Sequence, residues 1–449
     1  MKNTVTTVDV SRPFEFDELF FSLTDKSSKI QFANEVFIRI SAYKTEEVND
    51  QLHKIIRHPD MPRCVFKIFW DRLENNQAVA AYVKNLAKDG KYYWVMALAY
   101  PTKSGYLSIR LKPSSKLFDN IQSIYSEVLN YEKEKENELG KRKGMYEAEK
   151  LLLKHLSDKG FDNYEEFMWE ALKLEMSERE AKIDKEKALS KLTKSGVPDH
   201  RIELQNSLSF LFEKLEGLTQ LHDILMNHST YMLELAGSIL LLSLNAQVGS
   251  AKLDNKDASL SVIAEKMGEQ TRMGEKELQH IQYVVKDLNI ILKRLNFEII
   301  SSKLKVEMAN DFFVESINND FIGFNKQTLS PKEVNEVLFE SYMPDLETII
   351  QSIDELPKHF GTLKTQVENI KKFLQVLRFI HTTGKIEIAK MEKRAKTFAT
   401  TFEELITEID SAQKMLNELS NAIYNNESTI DFYSKGQKDM TTIKEKLTA

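Results

Sequence analysis

Cysteine is almost missing from this chain of 449 residues, and Cys64 alone cannot form an internal disulfide. A reducing compartment fits that usage. Long apolar runs are missing as well. The longest aliphatic stretch, Ile239 to Leu242, is far shorter than the roughly 20 apolar residues of a membrane-spanning helix. The opening Met1 to Asp9 is mostly polar and lacks the basic start and apolar core of a signal peptide, so a cytoplasmic location is expected. Positive charge is not in excess. With 62 basic against 68 acidic residues the net charge is −6, which argues against a dedicated nucleic-acid binder. Catalytic signatures are lacking too: no glycine-rich phosphate loop follows a strand, no His-Glu-x-x-His occurs, and Cys64 has no evident activating group. No enzyme activity is expected. The length implies two or three domains.

What is present is concentrated at residues 55–62, Ile-Ile-Arg-His-Pro-Asp-Met-Pro. Each proline fixes its own φ and pushes its predecessor away from helix, which stiffens a loop carrying Arg57, His58 and Asp60. Such a loop can hold a polar ligand or merely tie down a turn. Before it lie two apolar stretches, Glu18 to Asp25 and Lys29 to Asn34, and then a helical pattern over Glu35 to Ser41. After it, Val65, Phe66, Ile68, Phe69 and Leu73 predict a helix starting near Pro62. Three strand-like runs follow, Ala78 to Lys84, Tyr92 to Tyr100 and Gly105 to Leu111, with a hairpin turn at Lys88-Asp89-Gly90. This makes an α+β module of ordinary domain size.

In order and wording the module resembles the PAS domain of the bacterial aerotaxis-receptor type, which binds FAD and reports redox state. The resemblance covers residues 14–113. It rests on Thr24-Asp25, Ala33-Asn34, Phe37, Ser41-Ala42-Tyr43, His53, Arg57 to Pro62, Trp70, Val83-Lys84-Asn85, Asp89-Gly90, Tyr93-Trp94-Val95, Pro101, Gly105-Tyr106 and Ser108-Ile109-Arg110. It implies FAD as cofactor and assigns flavin contact or pocket support to Asn34, His53, Arg57, His58 and Asp60. Arginine and histidine side chains have the hydrogen-bonding capacity for a pyrophosphate or a flavin edge. The chain departs from the family at Val79 and Ala81, where Trp and Gly are usual, and at Met96 and Leu98, where an Arg and an Asn are usual. Aliphatic residues there could fill the pocket, leaving no cofactor; the loop would then only cap a core, with Arg57 and Asp60 as a local ion pair.

Beyond residue 113 glycine and proline become sparse, and charge alternates with leucine. Residues 1–13 read as a tail and 114–200 as connecting helices, with Lys133 to Lys143 a solvated helical face. Over 201–300 a heptad seam runs through Leu204, Leu208, Leu211, Leu215 and Leu218, then Leu225, Met232, Leu235, Ile239, Leu242 and Ala246. It lapses around Asp254 to Asp257 and resumes from Leu260 through Leu278, Ile281, Val285, Leu288, Leu292, Leu295 and Ile299. Two seams about one turn describe an antiparallel helical hairpin. Its open apolar edge is covered either by a second copy, giving a homodimeric four-helix bundle, or by the C-terminal helices of the same chain.

The turn resembles the tip of the chemoreceptor (methyl-accepting) signalling domain, through Leu242-Ser-Leu-Asn-Ala-Gln-Val248, Ala251-Lys252 and Ser261-Val-Ile-Ala264. That resemblance implies a chemotaxis histidine kinase and its coupling protein as partners. Gly249, Lys252, Asp257, Ser259, Leu260, Lys266 and Gly268 differ from the family at the positions it uses for docking, so that face is degenerate. Residues 301–449 read as a C-terminal helical bundle. Ser330-Pro331 starts a helix, Gly384 marks a kink or a close helix approach, and the end from Asp431 is expected to fray. His381 and Glu387 beside Gly384 read as a surface pair, because they offer too few ligands for a metal.

Two functions remain. In one, a cytoplasmic PAS sensor of redox state, oxygen or a small ligand transmits through the bundle in chemotaxis or energy taxis. In the other, a cofactor-free scaffold mediates dimerisation and protein contacts.

Overall fold

Strands β1 (Phe20–Asp25) and β2 (Ile30–Ala33) form a tight antiparallel pair, and helix α1 (Glu35–Ser41) follows at once. The computed structural model describes residues 5–251, 258–318, 323–390, 396–425 and 427–448. Asn34 starts α1 by accepting hydrogen bonds from the N–H groups of Phe37 and Phe21, so one side chain caps the helix and anchors it to β1. After the short helix α2 (Thr45–Val48) and a single 3-10 turn at His53–Ile56 comes α3 (Arg63–Glu74), which begins directly after Pro62. A meander of β3 (Val79–Leu86), β4 (Tyr92–Pro101) and β5 (Gly105–Leu111) completes the sheet in the order β2-β1-β5-β4-β3. Gly90 takes φ +88° in the β3–β4 turn, a conformation that glycine reaches without steric cost. The segment read as a tail is tied down: Val8 and Arg12 donate backbone hydrogen bonds to Gly90 and Tyr92.

Strand residues alternate between two faces. One face carries Phe20, Ser22, Thr24, Asn85, Ala97, Ala99, Ser108 and Arg110, paired across the ladders. The other carries Phe21, Phe32, Tyr82, Trp94, Met96, Leu98 and Tyr100, and this chain's own helices cover it. The helices after β5 are α4 (Lys116–Leu139), α5 (Lys141–Asp158), α6 (Tyr164–Lys182), α7 (Lys185–Lys194), α8 (Asp199–Ala251), α9 (Ala258–Asn318) and α10 (Pro331–Ala389), and α4, α6 and α9 supply the contacts to this face. Phe118 of α4 packs on Tyr82 and Trp94, and Phe167 of α6 packs on Tyr82. At the opposite edge, Phe312 of α9 meets Phe21 and Phe32, each at 5.3 Å between ring centres. The N–H groups of Thr328 and Leu329 donate to the Gln31 carbonyl, which covers the free edge of β2.

Two compact units result. One comprises Met1–Phe212, Lys293–Ile350 and Lys438–Ala449; the other comprises Glu213–Leu292 and Gln351–Gln437. In the second unit the seam residues Leu278, Ile281, Val285, Leu288 and Leu292 are buried within a single chain. Helix α10 packs there against α9, with Phe373 lying against Gly274, and against α11 (Lys396–Asn425), with Arg378 paired to Asp410. The C-terminal helices therefore cover the seam, as in the intrachain alternative. Gly384 lies within α10 and marks a close helix approach, since the Phe402 ring occupies the place of a Cβ. His381 is buried and stacks on Phe402, so it is not half of a surface pair. The C-terminal end, expected to fray, lies in helix α12 (Glu427–Thr448), which buries Tyr433 and Met440. The side chains of Leu215, Leu218, Leu225, Met232, Leu235, Ile239, Ala246, Gly249 and Leu260, and all of residues 252–257, lie outside the described residues, as do Met391 and Ala395. Among the described residues no helix is long and apolar enough to cross a membrane.

The contact between α9 and α1 carries a titratable group. Glu315 accepts from the Glu35 N–H at 2.8 Å, and burial, together with the Glu35 and Asp311 carboxylates, pushes it up to about 7. A carboxyl raised above its unfolded value adds stability that is complete below the ordinary carboxylate range and is lost as pH rises through its folded value. Thermal melts should therefore weaken between pH 4.5 and pH 7, by at most about 3 kcal/mol from this group. Glu315→Gln should flatten that slope; an unchanged slope would place the titration elsewhere.

Candidate functional site

Between α3 and the inner face of the sheet lies a cavity of about 520 Å³, within the usual range for small-molecule sites. Helix α3 supplies one wall through Phe66, Phe69, Trp70 and Leu73, residues that share a helix face. The strands supply the other through Ser22, Thr24, Val83, Asn85, Ala97, Ala99, Ser108 and Arg110. Alanine at 97 and 99 leaves the room that larger strand residues would take. The 3-10 turn and the start of the stiffened loop complete the lining with Leu52, His53, Lys54, Ile56 and Arg57.

Two of the five residues singled out in the sequence face this cavity. Arg57 forms an isolated backbone bridge with Asn85, which sets loop and strand side by side. Its guanidinium lies 4.2 Å from the centre of the Phe66 ring and donates to the Met61 carbonyl. His53 accepts from Arg110 Nη2 at 2.5 Å through Nε2. Burial and then the Arg110 charge push His53 down to about 3, so its ring is neutral at ordinary pH.

The other three are engaged outside the lining. Asn34 is the α1 cap. His58 is buried behind the loop, where its Nδ1 accepts from the Asp60 N–H at 3.1 Å. Burial and the Lys84 charge lower its pKa. Asp60 pairs with Lys84 at 2.7 Å, not with Arg57. Burial opposes its ionisation, yet the Lys84 hydrogen bond and charge hold it below the usual carboxylate value. These residues shape the loop; Arg57 and His53 face what it encloses.

Sequence reasoning passed over Asn85 and Arg110 as site residues, although both stood inside the matching stretches. Asn85 is buried, and its Nδ2 lacks a hydrogen-bond partner among the described residues while its side chain lines the cavity. An unpaired buried donor at a cavity wall fits an acceptor on a bound group. Arg110 is 2% exposed and holds Ser22 Oγ at 3.1 Å and the Ser108 carbonyl at 3.2 Å. Strand alternation was the usable signal, since both positions share a face with Ala97 and Ala99. The same alternation corrects the reading of Met96 and Leu98. Both are fully buried on the opposite face, so their aliphatic side chains cannot fill the pocket.

These donors and aromatic walls fit a flavin. Arg57, Lys54 and Arg110 form no ion pair with a carboxylate among the described residues, and Trp70 and Phe66 offer flat apolar surface. Cys64 is buried on α3, where burial and the nearby Glu132 push its thiol pKa well up, so it offers no ready nucleophile.

The PAS fold family matches residues 30–106. The chain is 36% identical over 118 residues to the aerotaxis receptor of Escherichia coli (strain K12), a match covering 25% of this chain and 23% of that receptor. The chain thus spans about a quarter of the length of this curated relative. It is also similar to a light-oxygen-voltage domain studied with a flavin analogue, at 18% identity and a TM-score of 0.21, covering 23% of this chain and 83% of that one. The light-state structure of the blue-light photoreceptor Aureochrome1 LOV matches at 21% identity and a TM-score of 0.21, covering 23% and 91%. The N-terminal domain of this chain is a PAS domain homologous to that of the aerotaxis receptor, and long helices follow it.

The two sheet faces should respond differently to added volume. Ala97→Leu projects into the cavity and is expected to leave the melting temperature nearly unchanged. Leu98→Trp enters a packed face and should cost about 1–3 kcal/mol. Equal losses in the two variants would show that the inner face is packed as tightly as the outer.

Proposed function

We propose that this PAS domain is a flavin-binding sensor, with FAD as its cofactor, and that it acts by signalling rather than by catalysis. The observation that carries the reading is the cavity itself, between α3 and the sheet, whose lining includes Arg57, Lys54 and Arg110, none of them ion-paired with a carboxylate among the described residues, the carboxylates Asp71 and Glu74 of α3, and the Asn85 amide donor, which has no partner among the described residues. When bound, the flavin supplies reversible electron uptake. Arg57 and Lys54 would suit the pyrophosphate, and Trp70 and Phe66 the ring, while Asn85 Nδ2 would be available as a donor to it. The apolar side chains of α3 would shield a bound ring from water.

The residues that hold α3 provide the route outward. Glu132 of α4 accepts from the first N–H groups of α3, Arg63 at 2.9 Å and Cys64 at 3.0 Å. Lys67 pairs with Glu149 of α5, and Arg72 with Glu165 of α6 at 2.7 Å. A shift of α3 therefore reaches three helices at once. The cofactor biases that arrangement only by binding its two states with different affinity. Signalling in aerotaxis or energy taxis, by a cytoplasmic homodimer, is part of the same proposal; the homology of the PAS domain to that of the aerotaxis receptor supports the sensory role, and a dimer would have to form through a surface other than the seam that the chain's own helices cover. The changed residues at the chemoreceptor-like turn, Lys266 and Gly268 among them, weaken its claim on the chemotaxis kinase and coupling protein.

The full-length protein should purify with a flavin absorption spectrum or acquire one on addition of FAD. A folded, colourless protein that takes up none would sink the reading. Arg57→Ala should weaken FAD retention roughly tenfold to a hundredfold, the loss expected for one hydrogen bond to a charged group of about 1.5–3 kcal/mol. Co-purification with the kinase and coupling protein should be weak, and strong capture would show that the altered turn still docks.

A further inference from the structure

Arg110 is a cation enclosed by neutral groups. Its guanidinium donates to Ser22 Oγ, the Ser108 carbonyl and His53 Nε2, and lies 5.3 Å and 5.8 Å from the Phe37 and Phe20 ring centres. Tyr93, from β4, faces it as a buried un-ionised phenol whose hydroxyl has no partner among the described residues. No carboxylate among the described residues pairs with it. Burial lowers its pKa, but only to about 10, so it remains charged at neutral pH. A buried charge without a counter-ion is costly, and folded proteins keep one where something else supplies the opposite charge. The open side of Arg110 is the cavity.

We propose that Arg110 is the fixed counter-charge of this cavity, favouring the bound flavin when its ring is negatively charged and so setting the potential at which the sensor switches. The proposal rests on the flavin reading above. In the reaction, the oxidised ring takes two electrons from a low-potential electron donor and one proton from solvent. One negative charge stays on the ring, the second proton stays in solvent, and no bond to the protein forms or breaks. The mouth cations Arg57 and Lys54 stand at the stiffened loop and the 3-10 turn, whereas Arg110 stands on the sheet, between Ser22 and Ser108. His53, neutral, is held by Arg110 rather than competing with it.

The test is a spectroscopic redox titration of the full chain loaded with FAD, using dithionite as donor, from pH 5.5 to 8. One proton per two electrons gives a midpoint falling about 30 mV per pH unit, the value of a tenfold change for a two-electron couple. That slope should persist below neutrality, where free reduced flavin gains its second proton. In Arg110→Gln the preference for the reduced form should fall at least tenfold, about 30 mV, and the slope below neutrality should double. Arg110→Lys should restore much of the potential. A doubled slope in the unaltered protein, or an unchanged potential in Arg110→Gln, would overturn the proposal while leaving the flavin reading intact. Should Arg110→Gln fail to fold, the proton count of the unaltered protein decides alone. A chain that takes up no FAD removes both.

Discussion

A five-stranded sheet with apolar residues on both faces must be covered twice, and that constraint organises the first compact unit. On the outer face the cover is dense, with Phe118 and Phe167 against Tyr82 and Phe312 against Phe21 and Phe32. On the inner face the cover is a single helix, α3, together with the short elements before it. The inner strand residues include alanine, too small to fill the space, and serine, threonine and asparagine, whose polar groups call for partners when buried. A cavity with polar walls follows from that difference between the faces.

Charge ties the cover to the sheet. Glu175 of α6 is fully buried and accepts from Tyr82 Oη at 2.8 Å, Ser115 Oγ at 2.6 Å and the Ser114 N–H at 2.6 Å, at the junction where β5 leads into α4. Arg179, one turn further along α6, pairs with Glu307 of α9 at 2.8 Å and donates to the Phe16 carbonyl. Lys303 joins the same cluster through Glu180 at 2.9 Å. Such buried ion pairs add little net stability, but breaking one leaves a charge stranded, so they fix one arrangement of helices on the domain. That fixed arrangement is what makes the grip of Glu132, Glu149 and Glu165 on α3 informative.

Much of the PAS domain was legible from local pattern. Helix α1 falls on Glu35–Ser41 as its periodicity predicts, and β4 and β5 lie where the apolar runs place them. The stiffened loop was legible as a loop, but its division of labour was not. Arg57 turns toward the cavity, while His58 and Asp60 turn back on the loop and Lys84, because only the paired strand fixes which way each side chain points. Asn85 and Arg110 carried no local mark: a lone Asn or Arg in a strand reads the same on either face. Met96 and Leu98 were misjudged for that reason.

The helical half shows the same division. Heptad spacing in the sequence determined that Leu278 to Ile299 form a helix with one apolar seam, since the period depends only on residue order. What covers the seam depends on contacts between residues far apart in the chain, and the tertiary structure decided for α10 of the same chain. The sequence by itself likewise determined the elements of the sensor domain and the sign and type of its side chains. Only the folded sheet decided which of them share a cavity, because facing is a property of strand pairing and no residue carries it alone.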